Sequence, residues 1–289
     1  MNIVITGSTG FLGRHLIKYL SLKKNNNLIC IVRPNSDCSF FKNLNVDVIE
    51  WDFSKETISH KINKNIDVLI HLAGILPGQK NTQVFKENVV ITKKLLHSFN
   101  KINHIIFSST NIVNLKNNYS ESKLECEELI KASGSNYTIL RIGPTFGKDG
   151  ITGSASKIIN LINKEKFFPI PKNSKIKIQP IHIDDVIKFI EKVILNKNYQ
   201  NMTCNIVGDS ISLIDFAKVV SKILKKPNKS IQVPFFLLNF LAILNELISK
   251  KPIITSEQLN ILKDNENSIL ESDISPTPLE LSLSKFNIK

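Results

Sequence analysis

The first thirteen residues set the tightest limit on the fold. Asn2–Thr6 is a short apolar run suited to a buried strand. It leads directly into Thr6-Gly7-Ser8-Thr9-Gly10-Phe11-Leu12-Gly13, after which a helical pattern continues to Lys23. The glycines are spaced G-x-x-G-x-x-G. In a strand–turn–helix setting the first allows a tight turn, the second lets backbone approach a pyrophosphate, and the third lets helix and strand pack closely. A phosphate so placed meets the free N–H groups of a helix N-terminus.

The same alternation continues along the chain. Strand-like runs fall at Asn2–Thr6, Leu28–Val32, Val46–Glu50, Val68–Leu72, His104–Ser108, Tyr137–Ile142 and Thr203–Val207. They are Ile- and Val-rich and nearly unbroken, as strands covered on both faces should be. Helical stretches separate them at Phe11–Lys23, Val84–Asn100, Ser120–Ala132, Ser154–Lys164 and Asp184–Leu195. This spacing predicts right-handed βαβ units, and so an α/β fold with a doubly wound parallel sheet. The expected organisation is a dinucleotide-binding domain over 1–150 with a strand near 203–207 returning to its sheet. A smaller, interleaved substrate-binding lobe is expected over 151–289.

Composition removes other classes. Of 289 residues, 42% are hydrophobic and 22% charged, which excludes a disordered or collagen-like chain. The net charge of +13 comes almost wholly from scattered lysine: the arginines are Arg14, Arg33 and Arg141. With the bidentate guanine reader so scarce, solvated surface lysine is preferred over nucleic-acid binding. No apolar run reaches the roughly 20 residues of a spanning helix. No basic region precedes the first strand, so a secretory signal is not expected and a cytoplasmic location is. Cys30, Cys38, Cys126 and Cys204 lack C-x-x-C spacing, and reduced thiols are expected. No His, Asp, Glu and Cys cluster has ligand spacing, so no metal is expected.

The strand ends supply the remaining chemistry. Ile31-Val32-Arg33 ends the second run with a guanidinium, where an acidic residue would accept from a ribose hydroxyl. Arg33 suits a 2′-phosphate and favours NADP over NAD, unless it stacks on adenine or points to water. Trp51-Asp52-Phe53 follows the third run; Asp52 meets an adenine amine or lies in a surface loop. His71-Leu72-Ala73-Gly74 ends the fourth run in small residues. Tyr119 and Lys123 stand at i and i+4, one face of a helix, just after His104–Thr110. A free tyrosine, with a pKa of about 10, is too weak a base at neutral pH. An ammonium and a cationic nicotinamide nearby would lower it, letting Tyr119 exchange a proton with a substrate hydroxyl. Thr110, or else Ser109, would bond the same oxygen.

Taken together, Thr6–Gly13, His71–Gly74, Asn88, Phe107–Thr110, Tyr119/Lys123, Leu140–Gly147 and Ile181–Asp185 make the chain resemble an extended short-chain dehydrogenase/reductase of the NAD(P)-dependent epimerase/dehydratase group. The resemblance implies a Rossmann-type fold along nearly the whole chain and an NAD(P)-dependent oxidoreductase or epimerase. The implied substrate is a carbonyl or secondary alcohol, in this group most often on a nucleotide sugar. It implies that Thr110, Tyr119 and Lys123 are catalytic. It also implies that Gly7, Thr9, Gly10, Phe11, Leu12, Arg33, Asp52, Phe53, Leu72, Ala73, Gly74, Ser108, Tyr119 and Lys123 hold the cofactor, and that a homodimer is common. Two departures stand out. Pro144 replaces an asparagine usual in sugar-nucleotide enzymes, and the segment Lys177–His182 lacks the arginine that often precedes it, with Lys175 or Lys177 as its candidate substitute.

Gln179-Pro180, Thr145–Gly147 and Lys251–Leu259 are also similar to the NADPH-binding accessory subunit of respiratory complex I and its bacterial relatives, in which the cofactor is mainly structural. That gives a second reading, a cofactor-stabilised assembly protein. A third is a lipid- or sterol-type alcohol dehydrogenase at a membrane surface, with Phe235–Ile248 as its docking helix. From its pattern alone that stretch reads first as a core helix, and second as one on a membrane or partner. Ile211–Lys225 reads as a helix capped by Ser212, and Asp184 and Asp185 as capping or opening another. His15, His60 and His97 read as surface or core residues, and His182 as a strand-end structural residue.

Overall fold

The computed structural model describes residues 1–53, 62, 65–75, 81–99, 101–150, 154–172, 176–248, 255–264 and 269–285. In its first half, strands β1 (Asn2–Thr6), β2 (Asn27–Val32), β3 (Asp47–Glu50), β4 (Ile66–His71), β5 (Ile102–Thr110) and β6 (Asn136–Ile142) alternate with helices α1 (Phe11–Leu20), α2 (Asn81–His97) and α3 (Asn118–Lys131). Then come β7 (Thr145–Phe146), α4 (Ser154–Asn163), β8 (Phe168–Pro171), β9 (Lys177–Ile178), β10 (Ile181–His182), α5 (Ile183–Leu195) and β11 (Met202–Ile206). The chain continues through β12 (Ile211–Ser212), α6 (Leu213–Leu224), β13 (Ser230–Val233), α7 (Phe235–Ile248), α8 (Ser256–Asp264) and α9 (Leu279–Ser284).

Seven strands form one sheet in the order β11-β6-β5-β4-β1-β2-β3, and every adjacent pair is parallel. The seven apolar runs of the sequence are these seven strands, their ends shifted by a residue or two. The inner strands are buried on both faces, which explains their unbroken apolar runs, while the edge strand β3 is largely exposed. Ile3, Ile5, Cys30 and Ile70 pack toward α1 and α5, while Val4, Ile29, Leu69 and Ile105 pack toward α2 and α3. Chain order reverses between β1 and β4, and a crevice opens there at the carboxyl ends of the strands.

A second core lies beyond the sheet. Phe146, Ile159, Ile170, Phe216 and Val220 gather α4 and α6 around β8. Ser212 caps α6 as its sequence predicts, accepting from Asp215 N at 3.0 Å. Asp184 and Asp185 open α5 in its first turn, and the cap itself is the residue before the helix. It is His182, whose Nδ1 accepts from Asp184 N at 3.2 Å. Asp185 instead accepts from Thr277 Oγ1 at 2.7 Å and Thr277 N at 3.0 Å. Gln179 exchanges hydrogen bonds with Leu270 N (2.9 Å) and Leu270 O (2.7 Å), pinning the C-terminal segment to the strand end.

Helix α7 also departs from its first reading. Of its fourteen residues only Leu238 and Ala242 are buried, against Leu259 of α8. The rest of its apolar surface faces outward, so it is not a core helix. Among the described residues no helix is long and apolar enough to cross a membrane. The segment 251–254, His60 and Lys175 lie outside the described residues.

Candidate active site

The crevice is built first from the glycine turn. Gly7 has φ +71, a conformation glycine adopts without strain, and a Cβ there would lie 2.7 Å from Ala73 N and Leu72 C. The turn after β1 therefore lies directly against the end of β4. Gly13 is required by the turn itself: its Cβ would fall 2.2 Å from Gly7 O. That differs from the expected helix-against-strand contact. Gly10 differs again. It is exposed, takes the N-cap position of α1 with no side-chain cap, and has no acidic residue in the following turn. The first N–H groups of α1, at half-buried Phe11 and Leu12, thus receive no side-chain cap from the N-cap residue. Thr9 is half-buried and its carbonyl accepts from Arg14 Nε at 2.9 Å.

The next strand ends continue the rim. Arg33 follows β2 and is exposed, with its carbonyl accepting from Ser36 N at 3.2 Å. Arg14, which the sequence reading did not place here, lays its guanidinium 5.6 Å from the Phe40 ring centre. Asp52 and Phe53 follow β3 and are half-buried; the Phe53 ring lies 4.2 Å from that of Trp51. Leu72 and Ala73 are half-buried after β4, and Gly74 is exposed.

The end of β5 and the start of α3 bring Thr110, Tyr119 and Lys123 together. Asn117 caps α3 by accepting from Ser120 N at 2.9 Å, which places Tyr119 and Lys123 on its first turns, facing the sheet. Tyr119 is 8% exposed and Lys123 5%. Lys123 Nζ donates to Ser108 O at 2.8 Å and lies 4.7 Å from the Phe107 ring centre. A Cβ on Gly74 would come within 3.2 Å of that same Nζ, so the lysine head reaches the crevice wall.

Electrostatics corrects one expectation. Burial pushes the Tyr119 phenol up to about 12, only partly opposed by its hydrogen bond with Thr110; Lys123 is not among the causes. Burial also pulls the Lys123 ammonium down to about 8, against the fields of Cys126 and Glu127. At neutral pH the site therefore holds a protonated phenol beside a charged ammonium.

Two buried polar networks, neither legible in the sequence, hold this arrangement. Thr6 Oγ1 accepts from Ala73 N (3.2 Å) and bonds His71 Nδ1 (2.8 Å), while His71 Nε2 bonds Thr92 Oγ1 (3.0 Å). The Thr92 hydroxyl gives its proton to Asn88 O at 2.9 Å, so Nε2 must donate and Nδ1 must accept from Thr6. Asn88 accepts from Ile75 N (2.8 Å) and donates to Ser122 Oγ on α3 (3.0 Å). The glycine turn is thereby tied to the helix carrying the tyrosine and lysine. In the second network, fully buried Glu127 accepts from Arg141 Nη2 at 2.8 Å and from Ser109 Oγ. Glu127 follows Lys123 by one further helical repeat, the one signal in the sequence that pointed to it.

Burial lowers the His71 pKa to about 3, with Lys123 adding to the effect. A histidine kept neutral in the fold but charged in the unfolded chain stabilises fully above about pH 6.5 and loses that contribution as pH falls toward 3. His71 should thus contribute a loss of at most about 1.4 kcal/mol per pH unit across that window. Chemical denaturation between pH 7 and 4.5 tests this. His71→Asn should flatten the slope by about one proton, and an unchanged slope would assign the acid sensitivity to other groups.

The comparisons with known proteins show the family and the fold. The family model for the NAD dependent epimerase/dehydratase family matches residues 3–206, and the chain belongs to that family. It is 28% identical over 268 residues to the dTDP-D-glucose 4,6-dehydratase of Dictyostelium discoideum, covering 76% of this chain and 62% of that protein. It is 24% identical over 201 residues to the ceramide reductase of Caulobacter vibrioides, covering 63% and 57%. The chain thus spans less than two thirds of the length of either relative. Among solved structures it is similar to UDP-glucuronic acid 4-epimerase from Bacillus cereus in complex with UDP-glucuronic acid and NAD. That match has a TM-score of 0.74 at 21% identity over 99% of this chain and 97% of the other. The Thermotoga maritima UDP-glucose 4-epimerase with UDP-glucose gives a TM-score of 0.72 at 19% identity, again covering 99% and 97%. At these identities the structural likeness establishes the fold.

Proposed function

We propose that the chain is an NADP-dependent oxidoreductase or epimerase acting on a carbonyl or secondary alcohol, with nucleotide sugars as the first substrate class. The observation that carries this reading is that Tyr119 bonds Thr110 while Lys123 reaches Gly74, at the strand end that packs against the glycine turn. Exposed Gly10, the α1 N–H groups without a side-chain cap and the reach of Lys123 to Gly74 fit a dinucleotide with its pyrophosphate on the turn and its ribose against the lysine. Gly7, Thr9, Phe11 and Leu12 complete the phosphate side, Asp52 and Phe53 the adenine side, and Leu72, Ala73 and Ser108 the nicotinamide side. The cofactor, when bound, supplies or accepts a hydride.

The protein's part is proton transfer and positioning. Tyr119, a neutral phenol at neutral pH, donates to a carbonyl oxygen as that oxygen gains charge, while Thr110 bonds the same oxygen. Lys123 holds the ribose, and the Thr110 hydroxyl, whose hydrogen bond lowers the Tyr119 pKa, favours the phenolate left behind. In the alcohol-oxidising direction Tyr119 must first lose its proton. Pro144 brings no side-chain donor to a nucleotide, so the contact expected from asparagine in related enzymes has to come from elsewhere on the substrate side. The test is turnover of a panel of keto-sugar nucleotides, sugar nucleotides and simple ketones, followed by NADPH absorbance. Tight NADPH retention with no turnover on any of them would move the chain to a cofactor-stabilised assembly role.

The preference for NADP rests on exposed Arg33. Asp37 turns its Oδ1 to Ser39 N at 2.9 Å. A charge-assisted phosphate contact contributes about 1.5–3 kcal/mol, so Arg33→Ser should weaken NADPH binding roughly 10- to 100-fold. NADH affinity should change less than about threefold, because that ligand lacks the phosphate. Calorimetry with both nucleotides decides, and equal losses would remove the preference.

A further inference from the structure

We propose that α7 docks this protein on an anionic lipid surface. Successive residues of a helix turn by about 100°, so Phe236, Leu237, Phe240, Leu241, Ile243, Leu244, Leu247 and Ile248 fill one continuous arc of roughly 160°. All eight are exposed, with Phe236 at 76%, Leu247 at 78% and Ile248 at 85%. The polar residues of the helix, Asn239, Asn245 and Glu246, all fall outside that arc, as do buried Leu238 and Ala242. A contiguous apolar face about 20 Å long is far larger than the scattered apolar residues of an ordinary surface.

Charge decides what covers it. The stretch Lys222–Lys229, leading into β13 and α7, carries four lysines and no acid. Lys263 of α8 lies 5.0 Å from the Phe235 ring centre, and Lys229 lies 5.4 Å from the ring centre of exposed Phe167. Exposed Lys172 donates its backbone N–H to Val233 O, just before α7 begins. The acid on the helix, Glu246, is held by Ser256 N at the start of α8, and Glu165 is paired with Lys226. An anionic headgroup layer meets the lysines while the acyl boundary takes the apolar arc, the arrangement of an interfacial helix.

The test is flotation of the full chain with vesicles of pure phosphatidylcholine and of phosphatidylcholine mixed with phosphatidylglycerol. Binding to the anionic vesicles should exceed binding to the neutral ones by about tenfold or more and should weaken as salt rises. Phe240→Asp combined with Leu247→Asp should abolish it, with melting temperature and NADPH affinity unchanged, because both side chains are exposed. Should that pair destabilise the fold, Phe240→Ser with Leu247→Ser serves as the milder version. No flotation of the wild type, equal flotation on both vesicle types, or flotation unaffected by the variants would overturn the proposal. So would a concentration-dependent dimer, seen by sedimentation velocity, that the same substitutions dissolve. NADPH binding and turnover are measured separately, so loss of the docking role leaves the catalytic reading standing.

Discussion

Replacing Tyr119 by Phe should lower kcat/KM for carbonyl reduction by roughly 10²–10⁴-fold, the usual contribution of a positioned acid–base group. The ring that packs under α3 remains and only the hydroxyl is lost. NADPH affinity should therefore stay within about threefold, since Lys123 keeps its place through Ser108 O. The pH profile carries a second signature. With the phenol pushed up to about 12, reduction loses no Tyr119 proton through the neutral range. Before a cofactor's charge acts on it, the phenolate fraction rises about tenfold per pH unit, so alcohol oxidation should climb with pH in the wild type. The variant should lose the climb along with the rate. Turnover unimpaired by the substitution would take the proton-transfer role away from Tyr119, whatever the cofactor result.

The fold was largely legible because parallel strands covered on both faces must be apolar without interruption. Val4, Ile29 and Leu69 meet one helical layer while Ile3, Cys30 and Ile70 meet the other, so residues of both parities along a strand are apolar. The glycine turn and the Tyr119/Lys123 spacing were legible for a related reason: both are local, so their geometry follows from neighbours in sequence. What the sequence hid is non-local. The His71 ring bridges Thr6 and Thr92, 65 and 21 residues away, and Glu127 reaches Ser109 and Arg141 from a different element. The state of Tyr119 was hidden as well. An ammonium at i+4 suggests a lowered pKa, but burial dominates it, and burial is a property of the assembled crevice. Helix α7 shows the opposite limit. An almost wholly apolar helix reads as core, and only the packed molecule reveals how little is left to cover it.

Gly13 and Gly10 of the turn should separate under mutation, and the separation tests the dinucleotide site independently of Tyr119. Gly13→Ala places a methyl 2.2 Å from Gly7 O, a backbone atom in a turn that is itself fixed against Ala73 and Leu72. Either α1 must slide or the turn must open, at a cost of roughly 3 kcal/mol by analogy with overpacked cores. NADPH binding falls along with the melting temperature. Gly10→Ala meets only Gly7 O, at 3.1 Å, and its backbone is extended at φ −74, ψ 172, which alanine adopts freely. Its cost in stability should stay near 1 kcal/mol or below, the difference between glycine and alanine at an N-cap. Yet the added methyl stands where the pyrophosphate must approach the α1 N–H groups, so NADPH affinity should drop about tenfold or more. Denaturant titration and calorimetry on the two variants measure both quantities. A stable Gly10→Ala protein that binds NADPH as tightly as the wild type would mean that no pyrophosphate lies on this turn, and the assignment of the crevice would have to be abandoned.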